Sequence, residues 1–195
     1  MPLSAWAVPS PTGTRCGARW AICWRMPTPC LQGIGTRSTG RPSVPFRAYF
    51  LEVAKPRQKD ETTLFPGTHE LLRGLHERGV RLGIVSTKTG ETIAHIMDKY
   101  GLGNTLELIL GSYDVTHHKP HPEGILKALD QMGVAPEEFL YCGDTILDAQ
   151  AAQGAGVDFA AVLNGTTQAP AFAPYPCVHI APDLTELAQW LEDRA

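Results

Sequence analysis

From residue 66 onward, short apolar runs alternate with stretches in which apolar residues return every three or four positions. The first pattern is that of a buried parallel strand, the second that of an amphipathic helix. Pro66-Gly67-Thr68 opens a helix with Leu71, Leu72 and Leu75 facing inward and Gly79 as its stop. Val80–Val85 reads as a strand that delivers Ser86 and Thr87 to a loop. The next helix, Glu91 to Tyr100, carries Ile93, Ile96, Met97 and Tyr100 in phase and is closed by Gly101. Leu106–Leu110 is a strand, and Pro122 then starts a helix with Ile125, Leu126, Leu129 and Met132 inward, stopped by Gly133. Phe139–Cys142 is a strand, and Ala149 to Ala155 reads as a helix. Val157–Leu163 is a strand closed by Asn164-Gly165, a polar loop covers 166–176, and Cys177–Ile180 is a last short strand. Asp183 with Glu186 makes a capping box for a final helix burying Leu184, Leu187 and Leu191. This alternation predicts an α/β fold with a parallel, doubly wound sheet.

Ahead of residue 66 the pattern weakens. Phe46 to Val53 can form a helix with Phe46, Tyr49, Phe50 and Val53 on one face, ended by Pro56, and 57–65 is a polar connector. Residues 1–43 keep no period and are broken by Pro2, Pro9, Pro11, Pro27, Pro29 and Pro42; Trp20 to Trp24 is the one plausible strand. Charge marks the same break. Residues 1–51 hold six arginines and no acid, while all 20 acids lie beyond them. Three readings compete for 1–43: an Arg-rich targeting peptide, against which its prolines argue; a basic tail; or a stretch foreign to the rest, as a frameshift, wrong start or truncation would leave, which is the favoured one. Cys16, Cys23 and Cys30 recur every seven residues without histidines or a helix to align them, so the spacing reads as chance.

The totals exclude some functions. A net charge of -3 gives no ground for a nucleic-acid partner. No apolar run is long enough to span a membrane. Five scattered cysteines without a signal peptide point to a reducing, cytoplasmic setting.

Chemistry-bearing residues gather after three of the strands. The third group is the plainest. Leu140-Tyr141-Cys142-Gly143 runs into Asp144, and Asp148 follows four residues later, a helical spacing that puts both acids on one face, pointing the same way. Paired carboxylates at the carboxyl end of a strand suit magnesium. A helix cap by Asp144 or Thr145 explains the same turn equally well. Ser86 and Thr87 offer hydroxyls at a helix start, where phosphates bind. Lys119, between Pro120 and its neighbours in a loop that also holds His117, His118, His121 and Pro122, can supply a fixed cation. The three histidines fit no common zinc spacing and read as a solvated loop. Lys88 and Asp114 sit on the rim, and Cys142 reads as a small buried hydrophobe. Phosphate donors, a cation and a metal carboxylate pair together fit phosphoryl transfer.

Gly-Ile-Val-Ser86-Thr87-Lys88, His-Lys119-Pro-His-Pro and Gly143-Asp144-Thr-Ile-Leu-Asp148 resemble, in order and spacing, motifs two, three and four of the haloacid dehalogenase superfamily. Pro-Gly-Thr-His-Glu-Leu-Leu ahead of them is similar to its phosphoglycolate phosphatase and pyrophosphatase branch, and the resemblance covers roughly 46–195. It implies a three-layer Rossmann-like core over 61–195, a remnant of a helical cap over 44–60, and an atypical, poorly ordered segment over 1–43. It implies that Ser86, Thr87 and Lys119 hold the phosphoryl group, that Asp144 ligates Mg2+, and that Asp148 ligates it or orients its water. The substrate class would be a small phosphorylated metabolite, and the reaction phosphoric monoester hydrolysis. The family's first motif, a central strand ending in Asp-x-Asp-x-Thr with the nucleophilic aspartate, has no counterpart here. The first aspartate in the chain is Asp60. The expectation is therefore a central sheet position left vacant or filled by a poor substitute from 20–24, most of the cap missing or replaced, and little or no turnover. A non-catalytic phosphate-binding or regulatory relative and a phosphomutase are the alternatives. Substrate identity and oligomeric state are not written in the sequence.

Overall fold

A computed structural model describes residues 22–23, as backbone, and 62–193. The boundaries expected at 43/44 and 60/61, and the helix expected over 46–53, lie outside the described residues.

The described chain contains six strands and five α-helices. In order they are β1 (Ile22–Cys23), α1 (Thr68–Glu77), β2 (Gly83–Val85), α2 (Gly90–Lys99), β3 (Leu108–Leu110), α3 (Glu123–Met132), β4 (Leu140–Gly143), α4 (Ile146–Ala155), β5 (Asp158–Val162), β6 (His179–Ala181) and α5 (Leu184–Glu192). Strands β1-β2-β3 form one ladder and β4-β5-β6 another, and every pairing is parallel. The α/β expectation holds. The helices pack as the phasing implies, α1 on α5 and α3 on α4, β2 and β3. Leu72, Ile84, Ile93, Ile96, Met97, Leu140, Tyr141, Phe159, Phe172 and Leu187 lie in one continuous core with no more than 1% of their surface exposed.

Local chemistry sets the element ends. Gly133 and Gly156 close α3 and α4 in the left-handed region, at φ 58° and 70°, where a side chain would be strained. Thr89 and Asp183 cap α2 and α5 through side-chain oxygens that accept from the first-turn N–H groups.

Four sequence expectations need correction. Leu126 is expected inward, yet it is 46% exposed. Ile125, Ala128, Leu129 and Met132 already make the buried stripe of α3, and Leu126 lies about a hundred degrees around the helix from it. The last strand is His179–Ala181 rather than 177–180, because its register pairs Ala160 with His179 and Val162 with Ala181. Glu186 does not complete a capping box with Asp183; its carboxylate pairs with His179 Nε2 at 2.8 Å. The helix after β4 begins at Ile146, earlier than Ala149.

The strand expected within 20–24 is present as Ile22–Cys23. It pairs with β2 in parallel, Ile22 opposite Ile84 and Cys23 opposite Val85, and also lies close to β4. Among the described residues no ladder joins it to β4. A two-residue strand bonded on one side thus stands at the centre of the sheet, where the resemblance puts the nucleophile strand. It matches the expectation of a poor substitute better than that of a vacancy.

Candidate active site

The carboxyl ends of β2 and β4 bring together most of the residues singled out from the sequence. Ser86 follows β2 directly. It is 5% exposed, and its N–H donates to Leu110 O at 2.8 Å, continuing the ladder by one bond. Its Oγ accepts from Lys88 N–H at 3.2 Å, which fixes the hydroxyl at the strand's end. Ser86, Thr87, Gly111, His117, His118 and Lys119 line one narrow crevice. Two glycines let its walls close: a Cβ on Gly111 would lie 2.2 Å from Gly90 N, and one on Gly124 would lie 2.6 Å from Val85 Cγ1.

Lys119 crosses from this crevice to the β4 turn. Its Nζ donates to Asp148 Oδ1 at 2.7 Å, and the two side chains are 12% and 2% exposed. The peptide between Lys119 and Pro120 is cis. Asp148 is the pivot of the turn. Its Oδ2 accepts from Thr145 N–H at 3.1 Å and from Thr145 Oγ1 at 2.5 Å, while its own N–H donates to Thr145 Oγ1 at 3.3 Å. Tyr141 Oη donates to Oδ1 at 3.5 Å from a fully buried ring.

The helix-cap reading is therefore half of the structure. Thr145 is the N-cap and Asp148, at the third helical position, closes the capping box. Asp144 stands before the cap and outside α4, so the pairing of both acids on one helix face does not apply. Asp144 follows the last residue of β4, and Asp148 folds back against Gly143 in the same turn. Gly143 makes room for that return, since a Cβ there would lie 2.3 Å from Asp148 Cβ.

Asp144 is 1% exposed. Gly165, in the turn just after β5, lies over its carboxylate, and a Cβ on Gly165 would come within 2.3 Å of Oδ2. A buried carboxylate at the mouth of a sheet, cradled by a backbone that tolerates no side chain, has the hard oxygen chemistry Mg2+ takes. Asp148 fits direct ligation less well, because both of its oxygens already accept hydrogen bonds.

The histidine loop is exposed, as expected, and hydrogen bonds to Glu123 order it. Glu123, at the start of α3, accepts from Thr116 N–H and His117 N–H, both at 2.8 Å, from His117 Nδ1 at 2.9 Å and from Lys127 Nζ at 2.9 Å. These donors, the lysine first, hold its carboxyl well below the ordinary carboxylate range. Nothing in the sequence marks Glu123 for this part. The same holds for Tyr141 and Gly165, whose roles depend on contacts with distant turns. Lys88 is half-buried and Asp114 exposed, Asp114 accepting from Gly111 N–H at 2.7 Å. Cys142 is fully buried.

Comparison with known proteins finds the same architecture elsewhere. The sequence profile of the haloacid dehalogenase-like hydrolases matches residues 36–162. The phosphoglycolate phosphatase of Salmonella typhimurium is 33% identical over 128 residues, 66% of this chain and 49% of that protein. The chain thus spans about half the length of the curated relatives it matches. A Bacteroides fragilis protein assigned to the haloacid dehalogenase-like hydrolases superposes with a TM-score of 0.68 at 39% identity, covering 72% of this chain and 69% of its own. A hydrolase of the same superfamily from Geobacter sulfurreducens gives 0.57 at 28% identity, covering 68% and 58%.

Proposed function

Since the chain belongs to the haloacid dehalogenase-like hydrolase family, we propose that the edge formed by Ser86, Thr87, Lys119, Asp144 and Asp148 is the phosphate and metal half of a phosphatase centre. Its ligand would be a small phosphorylated metabolite of the phosphoglycolate type. The observation that carries this reading is the buried Lys119–Asp148 contact, which sets a cation between the Ser86 crevice and the turn that follows β4.

In this reading Ser86 and Thr87 receive the phosphoryl oxygens in the turn between β2 and the N-cap of α2. Lys119 neutralises the anion and is itself held in place by Asp148. Asp144 would hold Mg2+, with Asp148 acting through Lys119; the ion supplies charge neutralisation for a phosphoryl oxygen. The low exposure of Ser86, Asp144 and Asp148 excludes water and strengthens each of these interactions.

The covalent step needs a carboxylate nucleophile from the central strand. Residues 1–51 hold no acid, and the residue after β1 in sequence is Trp24. The chain therefore binds phosphate and metal without forming an aspartyl-phosphate, and turnover is nil or slight. Phosphate titrated calorimetrically into the full chain with Mg2+, alongside hydrolysis of phosphoglycolate and p-nitrophenyl phosphate, tests both halves. The expected result is binding that Lys119→Ala removes, with no release of phosphate. Hydrolysis that Lys119→Ala abolishes would refute the inactivity, and absence of phosphate binding would refute the site.

A further inference from the structure

We infer that His117, His121 and Glu123 form a transition-metal site, of the zinc-binding kind, on the rim of the Ser86–Lys119 crevice and separate from the Asp144 carboxylate. One donor atom from each of the three lies within 4.8 Å of the others. His117 Nδ1 and Glu123 Oε2 are 2.9 Å apart. The edge of a tetrahedron built on zinc bonds of about 2.0–2.1 Å is about 3.3 Å, so an ion can replace the proton between them with a small opening of the pair. The His121 ring lies 4.6 Å from that of His117, tilted by 31°, and both residues are exposed. Binding then needs no buried group to be uncovered, and solvent can complete the coordination.

Ligand type separates this site from the oxygen-lined one. Two imidazoles and one carboxylate select zinc or its neighbours over magnesium, whereas carboxylates alone suit magnesium. Glu123 is kept ionised by the donors around it. Lys127, 2.9 Å from Oε1, is the cation with which the metal shares that carboxylate. His117 lines the crevice and lies two residues before Lys119. An ion bridging residues 117, 121 and 123 therefore pins the loop that carries Lys119.

The test uses the full chain, stripped with a chelator and then freed of it. Zn2+ is titrated by calorimetry in the presence of excess Mg2+, and Co2+ is followed by absorption. The expected result is one zinc equivalent that Mg2+ does not displace, and cobalt ligand-field bands without the sulfur charge-transfer absorption that the five cysteines would give. His117→Ala and His121→Ala should each weaken zinc by about tenfold or more, at least the loss typical of disturbed metal sites. Lys127→Met should tighten it severalfold, and Asp144→Asn should leave it unchanged. Circular dichroism checks that the histidine variants remain folded. Zinc binding that survives the double His117→Ala/His121→Ala change, a sulfur charge-transfer band, or no zinc uptake would each overturn the assignment.

Discussion

Lys119 reaches Asp148 across 29 residues of sequence, and its Nζ lies 2.7 Å from Oδ1 with both side chains largely enclosed. Breaking a buried pair from one side leaves the other charge without its counter-ion, at about 3–5 kcal/mol. Thr145 keeps two hydrogen bonds to Asp148, so Lys119→Met is expected near the lower end of that range. Asp148→Asn removes the charge and weakens the capping box of α4, and is expected to destabilise as strongly. The double variant should lose less than the sum of the two. Urea unfolding of the four proteins measures the coupling; strict additivity would mean that the contact contributes nothing.

Glu123 gives the loop a pH dependence whose direction follows from its partners. Its folded-state pKa is depressed from an ordinary 4.5, chiefly by Lys127 and then by the N–H groups of Thr116 and His117. A depressed carboxylate contributes stability that is fully present above the unfolded-state pKa and is lost as pH falls through the folded one. The stability gap between the natural chain and Glu123→Gln should therefore be constant from neutrality down to about pH 5 and shrink below the ordinary value. Urea midpoints at pH 6 and pH 3 measure it, with a gap of equal size at both contradicting the expectation.

Much of the fold is legible in the sequence because the core helices repeat buried positions in phase. Leu71, Leu72 and Leu75 lie inward as the spacing predicts, and so do Ile93, Ile96 and Met97. Leu126 misleads because an apolar side chain one step off a helical stripe looks the same in sequence as one on it. At the strand ends, Ser86 and Lys119 line one crevice and Lys119 meets Asp148, as their positions after the strands suggest. What each does there is not legible in the sequence. Whether Asp148 meets a cation, a cap or a metal depends on the return of Lys119 from another loop, and Glu123 gains its role only where the histidine loop folds back on α3. The central strand is the clearest case. Its two residues pair with β2, a long-range contact that no local pattern specifies.

Ser86 should carry a measurable part of anion binding. Its Oγ is fixed at the strand end by Lys88 N–H at 3.2 Å and opens on the crevice that Lys119 lines. A hydrogen bond to a charged group is worth about 1.5–3 kcal/mol, so Ser86→Ala should weaken phosphate at least about tenfold. Asp144→Asn should instead remove the gain in phosphate affinity that Mg2+ produces, leaving metal-free binding largely intact. Calorimetric titration of phosphate with and without Mg2+ separates the two effects; equal loss in both conditions for Asp144→Asn would detach that residue from the metal.

Three glycines make opposite predictions from the same substitution. A Cβ on Gly143 would stand 2.3 Å from Asp148 Cβ and 2.7 Å from its Cγ, atoms held by the capping box and the Lys119 contact. A Cβ on Gly165 would stand 2.3 Å from Asp144 Oδ2. Neither neighbour is the loose end of a flexible chain, so Gly143→Ala and Gly165→Ala should each destabilise by about 1–3 kcal/mol, as overpacking does. Gly165→Ala should also abolish any Mg2+ response, because it displaces the Asp144 carboxylate. A Cβ on Gly74, within α1, would meet no heavy atom of the described residues within 4 Å beyond its own helix backbone. There the added methyl restricts the unfolded chain and favours the helix, so Gly74→Ala should stabilise by about 0.5–1 kcal/mol. Urea midpoints of the three variants decide the matter. A stabilised Gly165→Ala protein that still responds to Mg2+ would mean that the loop after β5 does not press on Asp144.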